Sequence, residues 1–480
     1  MRRTMTVPST RLCSPRFLIV FPAILLPAVL AAQVTFERTY GGAADDHIGT
    51  VRQTADGGFI LVGHTRSFGA GGADMYVIRT DARGDTLWTR VYGSPADETF
   101  FSVEPTADGG CVVAGSTFRT GQADITLTKL DSRGDSLWTR TYGGSSDDVA
   151  DGIAPAGDSG FIIAGTTYSY GTGWPNAYII RTDARGDTLW TRVIGGAGDE
   201  CAYSVAATAD SGFVVCGWTT SFGAGAFDAY VIRLDARGDT LWTRAYGGPA
   251  NEFSYCVQAM PDGGCVLAGS TESFGAGGSD FYLVRTDAAG DTLWTRNYGR
   301  DTADRGTAVN LVPGGGFIIT GGTMSAGAGD WDAWLIRADS CGETLWTRTL
   351  GGAGGDGFSC VLTAADRGFV LAGMTTSFGA GGLDFWFVKT DSAGRVAVAE
   401  RGASPARALG FTTIARGVLR LPSSLSSMQC SLFDVSGRRV LRLRPGDNDI
   451  RTLSPGVYYV ATGVPGTTSK AAVRKIIVTE

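Results

Sequence analysis

Histidine is nearly missing from this chain: His47 and His64 are the only two in 480 residues. That excludes a multi-histidine metal centre and leaves few general bases for work near neutral pH. No Gly-x-Ser-x-Gly elbow or phosphate-binding glycine loop is present, so two common catalytic signatures are absent. Helical periodicity is not found over any length, which argues against α-helices. Long apolar runs are equally scarce. The run Phe17–Leu30 has 14 residues with two prolines, short of the roughly 20 needed to span a bilayer. It follows Arg2, Arg3, Arg11 and Arg16 and ends at Ala31 and Ala32, the layout of a secretory signal peptide over residues 1–32. No later stretch is apolar enough to cross a membrane.

Charge is distributed unevenly. Residues 33–399 hold 25 basic and 42 acidic residues, a net of −17, whereas residues 400–480 hold 12 basic and 5 acidic, a net of +7. The shift marks a boundary, and the acidity of the larger part argues against nucleic acid as its ligand. Eight cysteines follow residue 32. Cys201 with Cys216 and Cys256 with Cys265 flank the same hairpin in successive repeats. The spacing suits one cross-strand disulfide in an exported protein or, equally, small buried core residues.

What the chain does have is repetition. Leu-Trp-Thr-Arg recurs with Trp88, Trp138, Trp190, Trp242, Trp294 and Trp346 at spacings of 50, 52, 52, 52 and 52 residues. A Gly-Phe or Gly-Cys step at Phe59, Cys111, Phe161, Phe213, Cys265, Phe317 and Phe369 brings the count to seven repeats. Each repeat holds two hairpins rich in β-branched and aromatic residues, separated by glycine-rich turns. Four short strands per repeat, seven times over, predict an all-β seven-bladed β-propeller. Phe36 lies 52 residues before Trp88, in an extra copy of a blade's last strand, while the seventh repeat has Val398 at the tryptophan register. The amino-terminal strand is therefore expected to complete the seventh blade. Arg79 falls opposite Trp88, and Lys129, Arg181, Arg233, Arg285, Arg337 and Lys389 hold the same register. These cations are expected to lie over the tryptophan rings.

The run from Asp81 through Gly84 to Trp88 resembles the tryptophan-docking repeat of quinoprotein-like propellers. The resemblance covers residues 33–399 and implies that architecture; the adjacent cysteine pair of quinone-binding members is absent, and no cofactor site is assigned. The carboxy-terminal run Ser431–Val440, then Asn448–Ile450, Leu453–Val460 and Val473–Val478, resembles the type A sorting domain of type IX secretion. That resemblance implies a small Ig-like β-sandwich over residues 409–480, after a linker at 400–408, and a partner in the secretion machinery.

Two acidic registers recur. The first comprises Asp46, Glu98, Asp148, Glu200, Glu252, Asp304 and Asp356, on loops expected to converge on one rim of the channel. A ring of carboxylates there would hold a hard cation such as calcium; the same acids also suit a repeated turn device accepting backbone N–H groups. The second comprises Asp74, Asp124, Asp228, Asp280, Asp332 and Asp384, with Asn176 in the third repeat, on glycine-rich loops of the same rim, where a ligand would be met. The expected function is a secreted or cell-surface module that binds an extracellular glycan or protein. The alternative is an extracellular carbohydrate-active hydrolase or lyase using rim carboxylates such as Glu98 and Glu200.

Overall fold

The computed structural model describes residues 33–119, 121–171 and 175–396, together with 414–415, 418–421, 429–434, 438–444, 446–463 and 472–478. The expected signal peptide and the linker at 400–408 lie outside the described residues. Seven four-stranded antiparallel sheets make the propeller. In blade 1 the strands, a to d, are Asp46–Gln53, Phe59–Thr65, Asp74–Thr80 and Thr86–Tyr92. Strand a alternates between buried and half-exposed residues, strands b and c are buried almost throughout, and strand d is mostly exposed. That gradient follows from position: strand a borders the central channel, b and c are covered by blades on both sides, and d is the outer edge. The a strands of neighbouring blades touch all round, that of blade 7 against that of blade 1.

Closure is by strand exchange, as expected. Blade 7 takes strands a to c from Asp356–Thr363, Phe369–Thr375 and Asp384–Lys389, and its fourth strand is Phe36–Tyr40. Phe36 pairs with Lys389 in the register that Trp88 takes opposite Arg79. It is 2% exposed and packs with Phe59 of blade 1 and Phe387 of blade 7 at centroid separations of 6.1 and 4.9 Å. Burying such a ring contributes about 2–3 kcal/mol.

Each d strand also latches onto the following blade. The Trp88 indole donates to the Ser132 carbonyl and lies against Gly134, where a Cβ would stand 3.0 Å from the ring. Gly134 has φ of +85°, so both backbone and space demand glycine. Phe36 meets Gly84 in the equivalent way, which makes the seventh latch.

One expectation is corrected, and one open alternative is settled. Arg79 does stand opposite Trp88 in register, but the cation over the indole is Arg90, two residues along the same strand, at 5.7 Å. Arg140, Arg192, Arg244, Arg296 and Arg348 repeat this over their own tryptophans. Arg79 is 7% exposed, and its fork meets both oxygens of Asp56, at 2.7 and 2.6 Å, and the carbonyls of Phe59 and Thr80. A buried guanidinium needs oxygen acceptors for its protons, which an indole face does not supply. The cysteine pairs are not bridged either, and all eight described cysteines are free thiols. Cys201 pairs with Trp218 and Cys216 with Ser204, while Cys256 pairs with Ala268 and Cys265 with Ala259. The offset within each hairpin keeps the thiols apart.

The carboxy-terminal part has a five-stranded and a two-stranded sheet. Leu419, Cys430, Leu432, Leu443, Ile450, Tyr458 and Val460 form their shared core. Gly456–Gly463 and Ala472–Val478 pair antiparallel within it.

Candidate functional site

Both acidic registers reach one rim, because Asp46 pairs with Thr65 and Thr65 with Asp74. They do not form open rings. Asp46, Glu98, Asp148, Glu200, Glu252, Asp304 and Asp356 are all at most 4% exposed. Each accepts from the backbone four residues earlier, as Gly42 donates to Asp46 at 2.8 Å and Gly352 to Asp356 at 2.8 Å. Nearby hydroxyls add to this: Ser67 on Asp46, Ser169 on Asp148 and Ser377 on Asp356. Asp74, Asp228, Asp280, Asp332 and Asp384 are also buried, and each accepts from a loop N–H, such as Ala276 to Asp280 at 2.9 Å.

The two registers meet in pairs across one glycine per blade junction. A Cβ at Gly93 would stand 1.7 Å from Asp74 Oδ1 and 2.6 Å from Glu98 Oε2. Gly41, Gly143, Gly195, Gly247, Gly299 and Gly351 separate Asp384 from Asp46, Asp124 from Asp148, Asn176 from Glu200, Asp228 from Glu252, Asp280 from Asp304 and Asp332 from Asp356. Among the described residues, Oδ1 of Asp74, Asp148 and Asp304 is buried without a hydrogen-bond partner. Burial, together with Asp304, raises the Asp280 carboxyl above the usual range; burial and Asp46 do the same to Asp384. Among the described residues no three His, Cys, Asp or Glu side chains group as metal ligands. Glu98 and Glu200, the acids expected to act on a polysaccharide, are directed onto Ser94 and onto Gly196 and Thr219.

The chemistry that differs between blades lies elsewhere. Every a strand has a β-bulge at one level, and the bulged residues are Gly49, Phe101, Asp151, Tyr203, Tyr255, Thr307 and Ser359. A bulge re-aims the side chain it carries. These seven residues line one cavity of about 690 Å³, the central channel, to which all seven a strands contribute. Two positions earlier stand His47, Cys201, Phe253 and Arg305, paired on strand b with His64, Trp218, Ser270 and Gly322.

An aromatic arc follows from this. Trp218 lies 5.0 Å from Phe227, Phe227 lies 5.4 Å from Phe253, and Phe253 stacks on Tyr255 at 6.2 Å. Tyr255 stacks on Tyr203 at 5.7 Å, and the exposed Arg305 guanidinium sits 4.4 Å over the Tyr255 ring. The Trp218 indole donates to the Tyr203 hydroxyl at 2.9 Å. Across the mouth His47 and His64 stack at 5.0 Å. Burial lowers both imidazoles, His64 to about 4, so both are uncharged at neutral pH. Deeper in the channel Arg52 and Glu104 pair at 2.7 Å. Asp151 has no hydrogen-bond or ion partner among the described residues, and burial pushes its carboxyl up to about 7. A smaller hollow of about 310 Å³ beside Arg300, Trp334 and Arg348 carries no comparable grouping.

The sequence reading missed this mouth because it followed what repeats. The available signal was the reverse: one register, three residues after each first-register acid, changes from blade to blade, while the acid before it and the Val or Ile two residues after it recur.

No family model matches the chain. The regulatory protein FlaEY of Caulobacter vibrioides is 26% identical over 163 residues, 29% of this chain and 17% of that protein, so the chain spans under a fifth of that relative's length. Among solved structures, the Pan2 WD40 domain of Neurospora crassa is similar at 10% identity with a TM-score of 0.46, over 72% of this chain and 89% of that one. The extracellular domain of the hybrid two component system BT4673 of B. thetaiotaomicron is similar at 10% identity and 0.42, over 91% of this chain and 57% of that one. Sqt1 of Chaetomium thermophilum is similar at 11% and 0.44, over 74% and 97%. These are likenesses of chain path alone.

Proposed function

We propose that this chain is an exported, cell-surface or secreted binding module whose ligand face is the channel mouth. One observation carries the reading: the bulges of the a strands bring seven half-exposed residues that change along the repeats, the aromatic Phe101, Tyr203 and Tyr255 among them, to the lining of one channel. In a repeat protein the constant positions build the scaffold, and the site is what departs from them. The partner is an extracellular glycan or protein, both of which aromatic side chains at a concave surface suit. Glycan and protein binding arrays test this, with Trp218→Ala and Tyr255→Ala as controls. Binding lost in both variants is the expected result; binding untouched by either would move the site away from the mouth.

Delivery is the second part of the proposal. The charged, apolar, small-residue order of the first 32 residues supports export, and the Pro-Gly-Val-Tyr strand and final basic-apolar strand support a type IX sorting domain. Among the described residues no helix is long and apolar enough to cross a membrane. Mass spectrometry of culture medium and surface fractions should find a mature start near Gln33. Its absence from both, with residues 1–32 retained, would refute the route.

Calcium between the paired carboxylates is the one cofactor proposed. It requires that calcium raise the melting temperature and EDTA lower it, since a ligand of the folded state stabilises that state. Indifference to both leaves the acids as turn caps.

A further inference from the structure

We propose that the channel mouth holds an ammonium group of its ligand, a primary or methylated amine, between the Asp151 carboxylate and the rings of Phe101 and Tyr203. This rests on the mouth being the binding face. Asp151 is the bulged residue of blade 3; Phe101 and Tyr203 are the bulged residues of the blades on either side. Each neighbour packs on a second ring, Phe101 edge-on to His64 at 6.0 Å and Tyr203 stacked on Tyr255. The backbone of Gly152 lies against Tyr203 and Ser204, where a Cβ would meet the Tyr203 carbonyl at 2.9 Å, so blades 3 and 4 are in contact at this level.

The charge balance of the channel points to a cation. Arg52 and Glu104 neutralise each other, and both histidines are uncharged. Cys201 and Tyr203, which feel the Asp151 charge directly, stay neutral because burial pushes each up to about 12. Arg305 is committed to the ring and hydroxyl of Tyr255, one blade beyond Tyr203. Asp151, half-buried and open to the cavity, is left as the one group of the described lining able to carry an uncompensated charge, which a bound cation would stabilise in its ionised form. A desolvated carboxylate gains most from an incoming cation, and aromatic faces within about 6 Å attract the same group. Arg305 over Tyr255 is an instance of that contact already present in the mouth. The surplus of acids over residues 33–399 would draw cations towards it. A metal ion is the poorer fit, since one carboxylate does not supply the six or more oxygens calcium takes.

The experiment is calorimetric titration of the mature chain with n-butylammonium and tetramethylammonium, against n-butanol and N-butylacetamide as neutral controls. The ammonium probes should bind at least roughly tenfold more tightly than the controls, and Asp151→Asn should remove about that factor, as loss of a charged contact does. Phe101→Leu and Tyr203→Leu should each weaken binding less than Asp151→Asn. A lysine-rich peptide and a glucosamine oligomer, each against its N-acetylated form, then tell a protein amine from a sugar amine. Neutral and ammonium probes binding alike, no binding of either ammonium probe, or an Asp151→Asn chain that binds unchanged would each overturn the proposal. An array ligand lost with Trp218→Ala but kept by Asp151→Asn would overturn the ammonium site and leave the binding face standing. One that survives Asp151→Asn and both Trp218→Ala and Tyr255→Ala would remove the binding face as well.

Discussion

Ser159, Ser211 and Arg367 hold φ of 71°, 66° and 67° at the turn between strands a and b, where Gly57, Gly109 and Gly263 stand in other blades. A side chain in the left-handed region costs about 1–2 kcal/mol, which glycine avoids. Arg367→Gly should therefore raise the unfolding free energy by about 1 kcal/mol in urea titrations, after the greater chain entropy of unfolded glycine offsets part of the gain. The acid pairs make a second residue-scale prediction. Folding raises the Asp280 carboxyl, so the folded state holds its proton more tightly, and stability falls as pH rises above the unfolded value. Asp280→Asn removes that dependence, and blade 3 already carries Asn176 at this position. The variant should melt higher than the parent at pH 8, with the advantage shrinking towards pH 4. A lower melting temperature at pH 8 would show that the ionised carboxylate stabilises the junction. The acids themselves were legible as a repeating register. Their pairing across a glycine was not, because it joins residues of adjacent blades whose spacing emerges only when the sheets pack.

At the scale of the hairpin, the register of Arg79 against Trp88 could be read by counting back through the turn, and the structure has it. Which cation would cover the indole could not. That choice depends on where a guanidinium finds oxygen, and Asp56, brought over by the a–b turn, takes Arg79 while the exposed Arg90 is free to lie on the ring. The two arginines should behave differently. Arg79→Ala removes a buried guanidinium that donates to the Phe59 and Thr80 carbonyls and to Asp56, and should cost about 1–3 kcal/mol. Arg90→Ala loses an exposed cation–π contact and should cost about 0.5–1 kcal/mol. Equal losses in chemical denaturation would mean that burial is not what separates them. Blade 6 breaks the pattern, with Gly314 in place of the aspartate and Arg337 donating to the Gly315 carbonyl instead, its guanidinium pKa lowered by burial. The bulges belong to the same scale and were invisible beforehand, since one extra residue in strand a leaves the apolar alternation on both sides intact.

At the scale of the whole ring, seven blades and their closure were legible because a leading copy of a terminal strand has no other place to pair. Phe36 stands where the other blades have tryptophan, and it joins blade 7 to blade 1 in a core with Phe59, Phe385 and Phe387. Trp138 makes the equivalent link between blades 2 and 3, but those blades are also consecutive in the chain. Blades 7 and 1 are held at their outer edge by the exchanged strand. Phe36→Ala should cost about 3–5 kcal/mol, the range for emptying a buried aromatic site, whereas Trp138→Ala should cost less because that indole is only half-buried. The manner of failure should differ too. Loosening Phe36–Tyr40 bares the edge of strand c in blade 7, a row of unpaired N–H and C=O groups that recruits other strands. Phe36→Ala should therefore raise self-association in light scattering before global unfolding, and Trp138→Ala should not. Hydrogen exchange would locate the opening: protection lost first at Asp384–Lys389 agrees with release of the exchanged strand, and uniform loss over all seven blades would place the weak point elsewhere.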